Sequence, residues 1–468
     1  MSDTDFMGST TVYTYDGLGR QLAVSSPFAW GVSAQTKNYY DAAGNVIKTL
    51  VQDNAPGSAA HFKKQEYTYD AMNRVTVATA YADESTPSVT QYSYDELGNP
   101  TAVYMGLTAP LNLSALPENG NYAVTRYEYN GLGQLVKETD ALGQSTVYVN
   151  DLAGQVKQKT DRNGNTTSYS YNVRGDLLGQ SVTADGETLA LTNTYGKSGL
   201  LRQTADNAGT TSYTYNALGQ LTEEETGNII NTYSYDIYGN RLSYTLTNAG
   251  AQVLQNSYAY DNLNRLTGVT NGTEATTYTY NANGNVTSEQ VGSSRTTYYG
   301  YNMAGLLTYK ENYAGSGEVL TTDYSYSIDG NILEERESGV VRSAYTYDGM
   351  GRVVSETAGG VTTSYTYDAY SNRATKSSGT GSSAVVTSYT YDKNNRLQEE
   401  QRTAGGTQVV RDYDYDANGN QLGMAEHSEQ AGLVMNTYDG LNRLVSTIRY
   451  EGTASYNASY TYNAAGIR

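Results

Sequence analysis

Nucleophilic, acid–base and metal chemistry all need imidazoles, hydroxyls or carboxylates at defined spacing, and few such arrangements occur in this chain. Its two histidines, His61 and His427, stand in unrelated stretches. A zinc site or a triad needs several groups at set spacing, so both are read as solvated side chains. Neither His-Glu-x-x-His nor Gly-x-Ser-x-Gly occurs. Gly196-Lys197-Ser198 matches the end of a phosphate loop, but the glycine that should open it would be residue 191, which is Leu191. Asp412, Asp414, Asp416 and Asn418 place four oxygen-bearing side chains on alternate positions. An EF-hand counted from Asp412 wants glycine where Ala417 stands and glutamate where Gly423 stands, so this stretch is read as a repeat motif whose two strand positions happen to be Asp. With Cys 0, disulfides, thiolate zinc sites and thiol nucleophiles are excluded together. The expectation is no catalytic residue, no cofactor and no metal.

Charge narrows the partners. Lys and Arg number 30 against 48 Asp and Glu, a formal net charge of -18. That balance repels a phosphate backbone, and no local basic patch offsets it, so nucleic acid is not expected. No apolar stretch approaches the roughly 20 residues that span a bilayer, and Met1 to Thr11 is polar rather than signal-like, so no membrane insertion is expected.

The abundant chemistry is tyrosine, 48 of 468 residues, and it is periodic. Tyr13-Thr14-Tyr15-Asp16-Gly17-Leu18-Gly19-Arg20 returns as Tyr67 to Arg74 with Tyr69, Asp70 and Asn73, as Tyr213 to Gln220 with Tyr215, Asn216 and Gly219, and as Tyr345 to Arg352 with Tyr347, Asp348 and Gly351. Twenty copies place the Gly/Asn marker at residues 19, 44, 73, 98, 133, 154, 175, 199, 219, 239, 264, 284, 305, 330, 351, 371, 395, 419, 442 and 466, with Ser371 as the one departure. The period is about 23 residues, within the range of solenoids and arrays.

Each copy reads as a β-hairpin. Tyr-x-Tyr puts both rings on one face of a strand, and Asp-x-x-Gly closes a turn with a residue suited to positive φ. Gly133, Gly143, Gly154, Gly164 and Gly175 mark turns at both ends of successive strands. Two strands and two tight turns fill the period and leave no room for helices. The predicted fold is all-β: tandem antiparallel hairpins, about forty strands, with more than half of the residues in strands. One array spans 1–468. Residues 1–120 form an irregular part holding all six prolines, expected in extended loops or at a sheet edge, and 121–468 form a regular proline-free part.

Two readings of the tyrosines compete. As architecture, equivalent rings of adjacent hairpins stack in cross-strand ladders, with the hydroxyls reaching water or neighbouring backbone. As function, a few exposed rings beside Asp and Asn bind sugars. The regularity favours architecture. The Asp or Asn after the second Tyr is expected to close its own turn, and Arg20, Arg74, Arg265, Arg352, Arg396 and Arg443 to pair with that carboxylate or lie over a ring.

Tyr-x-Tyr-Asp-x-x-Gly-Arg/Asn in tandem resembles the RHS or YD repeat of bacterial polymorphic toxins, insecticidal toxin complexes and animal teneurins. Thr139-Asp140-Ala141-Leu142-Gly143 and Thr160-Asp161-Arg162-Asn163-Gly164 match a second hallmark of that family. The resemblance implies a ribbon of hairpins spiralling into a hollow shell around a C-terminal toxin or effector domain, in an exported, extracellular or cell-surface bacterial protein. Such shells often release their toxin by aspartate-based self-cleavage at an Asp-Pro-x-x-Gly-type segment. No Asp-Pro occurs here, and the chain starts within a repeat at Tyr13 and stops within another, so the plug, cleavage segment and toxin are expected outside this chain, which is read as a piece of a longer protein or a processed product. At about 4.8 Å per strand, forty strands make a ribbon of roughly 190 Å, about one and a third turns around a domain of about 100 residues and hence an open-ended section. The expected function is a non-catalytic shell section. The alternatives are a surface adhesin binding glycans or a protein receptor through exposed tyrosines, and a filament self-associating through open strand edges.

Overall fold

A computed structural model describes residues 1–462 other than 117–119, 185, 316, 318 and 429–431. Forty strands, β1 to β40 in chain order, occupy 62% of the chain, and no α-helix occurs among the described residues. They form a single antiparallel sheet in which strands pair with their neighbours in sequence. The count meets the forty strands expected from the repeats. The sheet is not closed: β1 (Ser2–Thr4) pairs with β2 (Thr10–Tyr15), and β40 (Ala454–Ser459) pairs with β39 (Leu444–Glu451).

The repeat sets the register. In β2 and β3 (Gln21–Ala29), Val12 faces Ser25 and Thr14 faces Ala23; the register then shifts by a bulge at Tyr15. The same shift recurs at the second tyrosine of hairpin after hairpin, as at Tyr69, Tyr171, Tyr347 and Tyr438. Beyond it the turn closes on itself: Asp16 N–H donates to Arg20 O at 2.9 Å and Gly19 N–H to Asp16 O at 3.1 Å. All nineteen described markers have φ between 60° and 95°, Ser371 included at 69°, while Gly466 lies outside the described residues. Positive φ is why glycine and asparagine fill this slot.

The chain divides into two compact units: Met1–Thr125 with Thr277–Asn395 and Gln401–Gln408, and Arg126–Thr276 with Arg396–Glu400 and Val409–Arg468. In the first unit the irregular segment forms a core. Val77, Val89, Ala102, Tyr104 and Leu107 are buried under Leu111, Leu116 and Tyr122, and the buried Gln91 side chain holds both the N–H and the C=O of Leu111. The prolines correct the expectation made for them. Pro56 and Pro110 lie in loops and Pro117 lies outside the described residues. Pro87 and Pro100, however, open β8 (Pro87–Tyr94) and β9 (Pro100–Leu107), and Pro27 sits where the register of β3 with β4 (Val32–Tyr40) breaks. A missing N–H costs little at a strand's first residue or at a bulge.

Each unit also contains contacts between turns far apart in sequence. In the first, the turn after β5 (Val46–Gln52) meets the turn after β28 (Val319–Tyr326): Ile328 N–H donates to Asn54 O at 3.0 Å, and Lys63 pairs with Asp329. The turn after β7 (Val75–Tyr81) meets the turn after β30 (Val340–Tyr347) through Gly349 N–H and Ala82 O at 2.6 Å. Phe28 O, at the end of β3, accepts from Met303 N–H at 3.2 Å in the turn after β26 (Arg295–Tyr301). In the second unit the turn after β13 (Val156–Thr160) meets the turn after β36 (Thr407–Tyr415), with Arg162 N–H donating to Asn418 Oδ1 at 2.9 Å and Asn418 Nδ2 to Asp161 Oδ2 at 2.7 Å. Gly440, after β38 (Gly432–Tyr438), lies against Val182 and Ala184 of β15 (Leu177–Ala184). In every case the partner turn follows a strand 23 places later. The offset is odd for a geometric reason: successive turns alternate between the two edges of a hairpin ribbon, so a turn of the Tyr-x-Tyr-Asp edge meets the opposite edge only after an odd number of strands.

Candidate functional site: the turn edge of the sheet

The repeated motif builds one local device. Asp16 Oδ1 accepts the N–H groups of Leu18 and Arg20, both at 2.9 Å, and its Oδ2 accepts Arg20 Nε at 2.6 Å. Asp70 and Asp348 do the same with Arg74 and Arg352, and Asn216 holds Leu218 and Gln220. Backbone donation from Arg20 and Arg74, strengthened by their guanidinium groups, holds the carboxyls of Asp16 and Asp70 below the usual range. The arginine then reaches the following repeat. Arg20 Nη1 donates to Asp41 O at 3.0 Å and its guanidinium lies 4.8 Å from the Tyr40 ring centre; Arg74 treats Asp95 O and Tyr94 likewise. Arg20 and Arg74 therefore fill both expected roles at once, and each ties its turn to the next.

The stacked ladders are not found. Among the described residues three ring pairs are close, Tyr104–Tyr122, Tyr233–Tyr244 and Tyr298–Tyr313, and none joins equivalent motif tyrosines. Equivalent rings lie two strands apart, about 9.6 Å at the usual strand spacing, which is beyond stacking distance. Instead the second tyrosine lays its ring across the preceding strand and donates its hydroxyl to that strand's first carbonyl: Tyr69 to Val46 O at 2.7 Å, Tyr347 to Ile332 O at 2.7 Å, Tyr367 to Val353 O at 2.6 Å. Burial pushes the phenols of Tyr69, Tyr213, Tyr215 and Tyr347 up. Tyr13, Tyr67 and Tyr345, the first rings of their motifs, stand half-buried on the same face.

No reaction centre is assembled from the other candidates. His61 Nδ1 is 2.7 Å from Asp53 and His427 Nε2 is 2.7 Å from Asp412, both exposed pairs. Among the described residues no three His, Cys, Asp or Glu side chains are placed to hold a metal. Asp416 caps its own turn through Asn420 and accepts Asn163 Nδ2 at 2.8 Å, as a repeat motif should.

The sequence reading missed the apolar residue in the two central turn positions. Ile328 in a docked turn is 5% exposed, whereas Leu218 and Leu152 in undocked turns are 76% and 93% exposed. The signal was present, because turn tips normally carry polar or small residues and most of these turns carry Leu, Met, Ile, Val or Tyr.

The teneurin YD-shell model matches residues 246–384, inside the tyrosine-motif array, and the RHS-repeat model matches residues 151–188. Residues 151–188 and 246–384 are thus RHS and YD-shell repeats. Across 99% of its length the chain superposes on the solved TcdB2-TccC3 structure at 14% identity and a TM-score of 0.61, covering 31% of that protein. A Photorhabdus luminescens Tc holotoxin pore aligns over 96% of the chain at 16% identity and a TM-score of 0.47, again covering 31%. The chain thus spans about a third of the solved chains it resembles, and the likeness is one of fold. No curated protein matches it.

Proposed function

We propose that the chain is a non-catalytic wall section of an RHS/YD shell that encloses or displays a toxin or effector domain lying outside this sequence, in an exported protein. The observation that carries the reading is the docking of turns at a constant offset of 23 strands in each unit. Such docking seals one edge of a ribbon against the other, and a container wall requires that seal. The motif residues support the same reading, since Tyr, Asp and Arg are spent on backbone carbonyls, turn closure and ties between neighbouring turns. The matches to the teneurin YD-shell and RHS-repeat models support a shell, and a toxin or effector is the cargo this reading favours.

Small-angle scattering of the isolated chain tests the wall. A hollow, open-ended section is expected, and a solid rod or a sealed capsule would overturn it. The adhesin reading predicts saturable binding on a glycan array, and the filament reading predicts light scattering that grows with concentration through the free edges of β1 and β40.

A further inference from the structure

One patch of the first unit departs from the repeat. On the sheet face opposite Tyr299 and Tyr301, Tyr298 of β26 stands directly across from Glu311 of β27 (Leu307–Ala314), and Tyr309 and Tyr313 flank Glu311 at alternate positions of its own strand. Three rings therefore surround one carboxylate. Tyr298 and Tyr313 meet edge to face, with centres 5.7 Å apart and planes at 85°. Burial and the neighbouring Glu311 carboxylate push the Tyr313 phenol up. Tyr309 lies flat on the backbone of Gly300, where a Cβ would come within 2.0 Å of the ring, so its other face is turned outward. All three rings are among the exposed large side chains, and they border an open depression of about 830 Å³.

The chain shows elsewhere what such a group receives. Tyr81 donates its hydroxyl to Glu66 at 2.6 Å, and Lys64 completes the set with Nζ 3.6 Å from the Tyr81 ring centre and 3.5 Å from Glu66. Arginines cover Tyr40, Tyr94, Tyr367 and Tyr462 in the same manner. Around Glu311 the ring and the carboxylate are present, and no cation completes the set among the described residues. Its cross-strand neighbours are Tyr298 and Thr321, and Lys310 projects to the opposite face. Further along this face, Arg336 lies across from Asp323 and is taken by Glu334 at 2.7 Å.

We infer that Tyr298, Tyr309 and Tyr313 with Glu311 form a binding site for an alkylated ammonium group of the choline type. Ring faces attract a cation through their quadrupole and contact its methyl groups, while the carboxylate supplies the counter-charge. An unalkylated ammonium gains less here, because its N–H groups are better satisfied by water than by rings.

Titration of the whole chain with choline chloride, followed by NMR of the tyrosine signals, is the test. Saturation with a Kd on the order of 1 mM is expected for three partly exposed rings and a carboxylate. The uncharged isostere of choline, with carbon in place of nitrogen, should bind at least tenfold more weakly. Tyr298→Ala and Glu311→Gln should each weaken choline about tenfold, Tyr309→Phe should leave it within twofold, and Tyr15→Ala, which removes a lone exposed ring, should have no effect. Melting curves of each variant establish that it is folded, and Glu311→Gln and Tyr309→Phe keep side-chain volume so that the test survives if Tyr298→Ala is unstable. Phosphatidylcholine vesicles distinguish the sources: flotation that depends on Tyr298 and Glu311 assigns a lipid headgroup, and binding of free choline alone assigns a soluble ligand. Equal affinity for the isostere, no saturation, indifference to both variants, or a neutral oligosaccharide bound through the same rings would each overturn the inference.

Discussion

Turns of one sequence type live in two environments. The turn Asn216-Ala217-Leu218-Gly219 and the turn Ser327-Ile328-Asp329-Gly330 share their hydrogen bonds and a positive φ at the marker, 80° and 95°. Yet Leu218 is exposed, whereas Ile328 is buried against a segment far away in sequence. Glycines in the turns repeat the contrast. Gly17 and Gly131 have nothing within 4 Å of a Cβ position, whereas a Cβ on Gly349 would stand 2.5 Å from Tyr81 O and one on Gly440 would stand 2.8 Å from the Ala184 Cβ. Local geometry is therefore independent of docking. Docking adds burial and close backbone approach to a turn that is already formed.

The sharpest way to break this comparison is a pair of truncations. Ile328→Ala should cost about 2–5 kcal/mol because it empties a buried site, while Leu218→Ala should change stability by less than about 0.5 kcal/mol. Chemical denaturation of both variants checks it, and equal costs would remove the distinction between the two kinds of turn. Next in size is the half-buried pair of Lys63 and Asp329, which bridges the docked turns. Lys63→Ala removes the cation from the Asp329 carboxylate, which keeps Ser327 and Asn331 as donors, and should cost about 1–3 kcal/mol, against at most about 1 kcal/mol for Arg336→Ala at the exposed pair with Glu334. Gly349→Ala should cost about 1–3 kcal/mol by forcing the docked strands apart, with Gly17→Ala near neutral. These differences appear as separate shifts in melting temperature.

Acid and alkali sharpen the comparison in another way, because they act on the device that both kinds of turn share. The carboxyls of Asp16, Asp41 and Asp70 are held low by donors within their own turns. Their contribution is complete above the usual carboxylate pKa of about 4 and is lost as pH falls through the lowered folded values. Burial raises the phenols of Tyr69, Tyr326 and Tyr347. Their contribution is complete below a pH of about 10 and is lost as pH rises through the raised folded values. Melting temperature against pH should show a plateau that falls at both ends, and the gap between Ile328→Ala and Leu218→Ala should persist across the plateau.

Much of this was legible from residues alone. The marker slot announced positive φ because Gly19 and Asn73 interchange there, and Asp16 followed by Arg20 announced a closed, paired turn. The tyrosine ladder was misjudged because a period-two pattern reports which face a ring occupies but not which neighbour it touches. Tyr69 spends its hydroxyl on Val46 O of the preceding strand, a partner that the pattern does not name. Pro87 and Pro100 were misplaced because a proline at a strand's first residue has the same sequence signature as one in a loop.

The sequence by itself determined the hairpin, its turn, its register and the number of strands, since all of these follow from contacts within about 25 residues of chain. Only the tertiary structure decided which turns dock, which apolar tips are buried and where three rings gather around Glu311. The physical reason is range. Leu218 and Ile328 carry the same kind of side chain in the same kind of turn, and their difference lies in whether an edge 23 strands away comes back to meet them.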